Sequence, residues 1–159
     1  MIHYENILYC TDFSEEANMA FYHALDLAKK YEAKLYIFHV LHSPFQLRRD
    51  QVDEYVSHDQ IQPVSEEILV KAQEDLERTY GSKIEGFDHY ECFVRAGVPF
   101  VEIIRFAKEK KVDMIVMGAM GRSEIDRQTF GSTVENVARR AHCHVVAIRN
   151  PEDSFRLPG

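Results

Sequence analysis

The stretch MIVMGAMGR, residues 114–122, runs from four apolar residues into Gly118 and Gly121, and nine further residues lead to Gly131-Ser132-Thr133. A short apolar run that ends in glycine is typical of a buried strand followed by a loop. A glycine directly after a strand lets the backbone approach a ligand closely. Gly131 precedes a helical pattern, and the free N–H groups and dipole of a helix start favour phosphate. Ser132 and Thr133 add hydroxyl donors there.

These residues therefore predict a strand, a loop and a helix that can hold a phosphate without a lysine. The pattern differs from a P-loop, whose glycines lie closer together and precede Lys-Ser/Thr. On these residues alone, a plain turn with a helix cap explains the glycines as well as a phosphate site does.

The same alternation of apolar strands and helical patterns continues on both sides of this stretch. Helix signals separate the strands, with Ser14 placed as a cap and Pro99 suited to a first turn. The predicted strands are Ile7–Cys10, Leu35–Val40, Tyr90–Arg95, Met114–Met117 and Val145–Ile148. Strict alternation predicts an α/β fold, a single doubly wound five-stranded parallel sheet with helices on both faces.

Periodicity leaves the strand order open. In the order 3-2-1-4-5, strands one and four are adjacent at the switch point, where open α/β sheets bind ligands beyond the strand ends. The loops at Thr11-Asp12 and at 118–131 would then face one another. We expect the last helix to bury Val134, Val137, Ala138 and Ala141, and a polar connection, 41–62, to be mobile or functional.

Length and composition limit the kinds of protein that this chain can be. The 159 residues with 45% hydrophobic content suit one domain, which we place at 1–150, before a polar C-terminal tail at 151–159. A formal charge of −7 argues against nonspecific binding to nucleic acid or anionic membranes. No apolar run approaches the roughly 20 residues of a membrane span. Without a leader pattern, and with three scattered cysteines read as buried thiols, we expect a cytoplasmic protein.

The spacing Gly-x2-Gly-x9-Gly-Ser, at Gly118, Gly121, Gly131 and Ser132, resembles the ATP-binding signature of the universal stress protein family. The resemblance extends over nearly the whole chain, including Asn6-Ile7-Leu8 with Asp12-Phe13-Ser14, and Gly97-x-Pro99 before the third helix. One position departs from it, since many relatives have a proline where this chain has His144.

The resemblance implies an adenine nucleotide alpha hydrolase-like fold in the order 3-2-1-4-5, with ATP, with or without Mg²⁺, over the switch point. Asp12, beside Thr11, would face the adenosine, the backbone of Val40 would contact the adenine, and Met117 would border the base and ribose. The residues that would surround the phosphates are Gly118, Gly121, Arg122, Gly131, Ser132 and Thr133. Family members commonly form homodimers through the last strand, so we expect a homodimer through Val145–Ile148.

Three functions remain open from the sequence. The first is an ATP-binding stress-response regulator that changes with nucleotide occupancy. The second is a slow ATP hydrolase, although no general base can be named because the directions of Glu124 and Asp126 are unknown. The third is a nucleotide-independent dimeric interaction module. Asp12 could instead only organise its turn, and Arg122 could be a solvated loop residue; no catalytic residue or metal ligand is assigned.

Overall fold

The computed structural model describes residues 1–42, 64–120, 131–153 and 157–159. Within these residues the chain forms a five-stranded parallel sheet in the order β3-β2-β1-β4-β5. The strands are β1 Asn6–Cys10, β2 Lys34–His42, β3 Tyr90–Gly97, β4 Met114–Gly118 and β5 His144–Ile148. The helices are α1 Glu15–Tyr31, α2 Glu66–Gly81, α3 Pro99–Glu109 and α4 Ser132–Arg140, and Pro151–Asp153 adds one 3-10 turn. The predicted fold and strand order are confirmed.

Side chains of each strand alternate between two cores on opposite faces of the sheet. In β1, Ile7 and Tyr9 pack in a cluster with α1 and α2. Leu8 and Cys10 pack in a second cluster with α3 and α4. Successive strand residues point to opposite faces, so a fully apolar strand is the pattern for a sheet covered on both sides.

Local signals place the helix ends. The Ser14 hydroxyl accepts a hydrogen bond from the Ala17 amide at 3.2 Å and caps α1, and Ser65 caps α2 in the same way. Pro99 stands in the first turn of α3, where its missing N–H removes no hydrogen bond of the helix. α1 and α2 both carry two glutamates in the first turn, as the helix dipole favours.

Several sequence expectations were wrong in detail. β2 continues to His42, so the connection predicted to begin at residue 41 begins later, and its remainder lies outside the described residues. Ala138 is exposed, because α4 buries a narrower stripe that includes Val134 and Val137. Of the three cysteines only Cys10 is buried, and the other two are partly exposed.

β5 lies at one edge of the sheet, where the sequence led us to expect Val145–Ile148. These four residues are half-buried, since α4 and α1 cover the strand only in part. In the described parts of the chain, no helix has the length and apolar character needed to cross a lipid bilayer.

Candidate functional site

A cavity of about 670 Å³, counted out to its open mouth, lies beyond the carboxyl ends of β1, β2 and β4. The position is the switch point of the sheet, where open α/β sheets bind ligands. Its described lining residues are Cys10, Thr11, Asp12, Ala17, Phe38, Val40, Pro99, Ile103, Met117, Gly118, Met120, Gly131, Ser132, Thr133 and Val134. The Thr11-Asp12 turn and the described ends of the 118–131 loop therefore line the same cavity.

One wall of the cavity is formed because β2 is longer than β1. Cys10, the last residue of β1, pairs with Phe38, and four more residues of β2 continue beyond it. At about 3.3 Å per residue these four residues project about 13 Å past the end of β1. Val40 lies on this projection and lines the cavity.

Apolar side chains make the floor of the cavity. Phe38, Met117 and Ile103 are each at most 6% exposed, and they belong to the core between the sheet and α3. Val40 and Pro99 continue this surface toward the mouth. A flat aromatic ring such as a nucleobase can bury its faces against this surface, and removing that area from water favours binding.

Another part of the cavity wall is the start of α4. Gly131 is the N-cap residue, and it supplies no side chain to accept hydrogen bonds from the first turn. The first hydrogen bond of the helix runs from the Glu135 amide to the Gly131 carbonyl. The amides of Ser132, Thr133 and Val134 therefore have no acceptor within the helix. These three residues line the cavity, and Ser132 and Thr133 also bring a side-chain hydroxyl each. Such an end suits an anion.

The two ends of the glycine-rich loop are joined at its base. The Gly131 amide donates to the Ala119 carbonyl at 2.9 Å, and the Ala119 amide donates to the Ile148 carbonyl at 2.8 Å. The loop thus leaves β4 and returns to α4 at nearly the same place. Gly121 and Arg122, predicted to contact phosphates, lie outside the described residues, as do Glu124 and Asp126.

Asp12 sits on the tight turn that joins β1 to α1. Its Oδ1 atom accepts a hydrogen bond from the Ser14 amide at 2.9 Å, so the carboxylate does organise the turn. Asp12 also lines the cavity, where it is the one Asp, Glu, Lys or Arg among the described lining residues. The organising role and a ligand-binding role are therefore compatible, because a carboxylate has two oxygens.

Thr11 lines the cavity, but its hydroxyl is engaged inside the protein. The Oγ1 atom accepts a hydrogen bond from the Phe13 amide at 2.9 Å and lies 2.5 Å from the Tyr80 hydroxyl. The Tyr80 hydroxyl donates to Asn18 Oδ1 at 2.9 Å. Burial raises the pKa of Tyr80 and of its neighbour Tyr9, so both hydroxyls stay protonated. The sequence analysis did not predict this cluster, because no motif in the sequence indicates it.

Gly118 lines the cavity, and its packing adds a second reason for glycine at this position. Its backbone φ is not positive in the described chain. A Cβ atom placed on it would instead lie 3.2 Å from the backbone of Glu16 and Ala17 at the start of α1. Glycine suits this position because β4 and α1 approach closely, and a larger residue would require the start of α1 to shift by a few tenths of an ångström.

Cys10 lies on the cavity floor as a buried thiol. It is 6% exposed, and burial raises its pKa, so it remains protonated and weakly reactive. In the described segments no group of three or more His, Cys, Asp or Glu side chains is arranged to hold a metal ion.

Comparisons with known proteins agree with this architecture. A model of the universal stress protein family matches residues 3–149. Universal stress protein MJ0531 of Methanocaldococcus jannaschii is 35% identical over 151 residues, which cover 94% of this chain and 84% of that protein.

Two solved structures share the fold. One is a universal stress protein in complex with cAMP, with a TM-score of 0.65 and 22% identity, covering 92% of this chain and 98% of that one. The other is the universal stress protein of Archaeoglobus fulgidus in complex with dAMP, with a TM-score of 0.56 and 22% identity, covering 93% and 99%. Because the family model spans nearly all of the sequence and a relative is more than 30% identical, this chain belongs to the universal stress protein family.

Proposed function

We propose that this protein binds ATP in the cavity at the end of β1 and β4 and acts as a nucleotide-dependent regulator of the stress response. One observation carries the proposal: an apolar floor and an uncapped helix start face the same cavity. Few small molecules combine a flat apolar ring with several negative charges. Nucleotides do, and these two parts of the cavity match the two ends of a nucleotide.

The ligand has one favourable orientation. The adenine lies on the floor between Val40 and Met117, and the ribose lies near Asp12. The phosphates lie at the first turn of α4, where the amides and the hydroxyls of Ser132 and Thr133 donate hydrogen bonds. The reverse orientation would bring phosphates toward Asp12 and the base toward unpaired amides, so both ends would lose favourable contacts.

Mg²⁺ in this proposal accompanies the nucleotide. Mg²⁺ is usually held by substrate phosphates and water with few protein ligands. The described part of the chain offers no cluster of metal-binding side chains. The hydroxyls of Ser132 and Thr133 lie beside the proposed phosphate position, and hydroxyl oxygens are compatible with Mg²⁺. The protein would then contact the ion through the phosphates.

The complexes of two structural relatives with cAMP and dAMP support an adenine nucleotide as the ligand class. The choice of ATP over a monophosphate rests on the resemblance of the Gly118, Gly121, Gly131 and Ser132 spacing to the ATP-binding signature of the family. In the proposed orientation the single carboxylate among the described lining residues, Asp12, faces the ribose and not the phosphates, which favours a binding role over hydrolysis.

The proposal includes a homodimer formed through β5 in the cytoplasm. An edge strand with half-buried apolar residues is a surface that proteins usually cover, and a two-fold copy of the same strand covers it symmetrically. Free cysteines fit a reducing compartment. Sedimentation equilibrium should give twice the chain mass of 18.5 kDa, and a monomer at all concentrations would contradict the dimer.

Nucleotide released from the purified protein tests the proposal directly. The protein is denatured by heat, and the supernatant is separated by anion-exchange chromatography against ATP, ADP and AMP standards. Calorimetric titrations of the emptied protein with the same nucleotides, with and without Mg²⁺, then rank their affinities. The proposal expects ATP to bind and to be recovered intact after long incubation. Steady conversion to ADP would favour the slow hydrolase, and no binding of any adenine nucleotide at millimolar concentration would favour an interaction module.

A further inference from the structure

The turn that carries Asp12 has an unusual backbone conformation. Phe13 has a φ of 63°, in the left-handed region that bulky residues rarely occupy. Its neighbours point in different directions: the Thr11 hydroxyl turns into the core, while Asp12 reaches the cavity. A turn of this kind persists only where surrounding contacts hold it.

The turn is held in part by His39 of β2, whose Nδ1 atom lies 2.7 Å from the Thr11 carbonyl oxygen and whose ring contacts the Phe13 ring. Further contacts come from Tyr80, near the end of α2. Its hydroxyl lies 2.5 Å from Thr11 Oγ1, the atom that accepts the Phe13 amide. Its ring stacks on the Phe13 ring with a centroid distance of 6.1 Å. It also donates to Asn18 in α1, so it connects both sides of the turn. Tyr80 is fully buried, and every buried polar side-chain atom of the described residues has a partner.

α2 contributes no residue to the described lining of the cavity. It packs on the opposite face of the sheet, in the core of α1 and α2. Its link to the cavity is therefore indirect and runs through the Tyr80 hydroxyl, the Thr11 hydroxyl and the Phe13 amide to the Asp12 turn.

We infer that Tyr80 is a positioning residue for the nucleotide site, which holds the Asp12 carboxylate toward the cavity through Thr11 and thereby couples α2 to nucleotide binding. The coupling to nucleotide rests on the proposed function, whereas the positioning of the turn does not. Thermodynamic linkage makes the effect mutual, so bound nucleotide would in turn stabilise the contact between α2 and the turn.

Tyr80→Phe removes the hydroxyl and keeps the ring. A lost neutral hydrogen bond lowers the population of the competent turn, so ATP affinity should fall about threefold to tenfold. Tyr9→Phe is the comparison variant, because it removes a buried hydroxyl that bonds the Ala17 carbonyl and the Tyr80 hydroxyl, the latter at 3.1 Å, and it keeps both partners of the Thr11 to Tyr80 contact. It should lower stability but weaken ATP binding less than Tyr80→Phe does.

A double-variant cycle separates positioning from a general loss of stability. In an Asp12→Asn background the carboxylate that Tyr80 positions is already gone, so adding Tyr80→Phe should weaken ATP binding little further. If the two substitutions weaken binding additively, or if Tyr80→Phe alone leaves the affinity unchanged, the coupling is wrong even though the protein binds ATP.

Amide hydrogen exchange without nucleotide gives an independent measurement. Exchange at Phe13 and Ser14 should be faster in Tyr80→Phe than in Tyr9→Phe. Equal exchange in both variants would overturn the positioning role. If the wild type binds no nucleotide, the proposed function fails on its own, and this exchange experiment still decides whether Tyr80 holds the turn.

Discussion

Replacing Ser132 with proline removes one backbone amide from the phosphate end of the cavity and should leave the fold intact. Ser132 is the first residue of α4, the helix position that proline favours. The preceding residue, Gly131, has φ −56° and ψ 143°, the extended conformation that a residue before proline requires. We therefore expect the free energy of unfolding to change by less than about 0.5 kcal/mol.

The cost to ATP binding follows from the loss of one donor. A hydrogen bond to a charged group contributes about 1.5–3 kcal/mol, and 1.4 kcal/mol corresponds to about a tenfold change in affinity. If the Ser132 amide donates to a phosphate oxygen, the affinity of Ser132→Pro for ATP should fall about 10- to 150-fold. Adenosine has no phosphate, so it should bind the variant as it binds the wild type.

Ser132→Ala is the matched control, because it removes the hydroxyl and keeps the amide. Isothermal titration calorimetry with ATP and adenosine on the three proteins separates the two donors, and urea unfolding checks their stability. Equal ATP affinities for the alanine and proline variants would refute the assignment of this amide to the phosphates. A fall in adenosine affinity equal to the fall for ATP would show that the substitution disturbed the cavity instead.

Three further predictions concern the Asp12 turn, the close contact at Gly118 and the partly buried Cys92 thiol. Asp12→Asn keeps an oxygen for the Ser14 amide, so unfolding by urea should be unchanged, while calorimetry should show ATP and adenosine affinities falling by the same factor. Gly118→Ala forces a Cβ to 3.2 Å from the Ala17 backbone and should cost about 1–3 kcal/mol of stability in urea unfolding; an unchanged midpoint would refute the contact. Burial raises the pKa of Cys92 from its ordinary value of 9.0 to about 12, so the unfolded chain loses this proton first, and stability should decline between about pH 9 and pH 12. Urea titrations across that range should show a smaller fall for Cys92→Ala than for the wild type, because the raised pKa values of Cys10, Tyr9 and Tyr80 still lower stability in both proteins; equal falls would contradict the prediction.

Local patterns were sufficient for much of the fold, because the signals are contained in a few adjacent residues. Ser14 and Pro99 marked helix starts through their own chemistry, and the glycine spacing with its resemblance indicated where β4, the loop and α4 meet. The contact between Thr11 and Tyr80 could not be predicted in this way. These residues are 69 positions apart, and a hydroxyl pair has no periodic signal in the sequence.

Two other misses have related physical causes. The role of Gly118 depends on how closely α1 approaches β4, which is a property of the packed sheet and not of the glycine. The end of β2 was placed at Val40 because residues from 41 onward were assigned to the polar connection, whereas pairing with β3 continues through Leu41 and His42. Pairing with the neighbouring strand extended β2 beyond the length that its own apolar pattern predicted.

The two backbone hydrogen bonds of Ala119 make this residue a useful spectroscopic probe of self-association and ligand binding. Its amide donates to the Ile148 carbonyl of the edge strand β5, and its carbonyl accepts from Gly131, the N-cap residue of α4. Ala119 therefore contacts both the strand expected to meet a second copy and the helix start expected to meet phosphate. Isotopic labelling of this alanine would give one spectroscopic probe with two sensitivities: the ¹⁵N shift would report on self-association, and the carbonyl ¹³C shift would report on ligand occupancy. Following both signals in one titration would reveal whether assembly and binding occur together or in sequence.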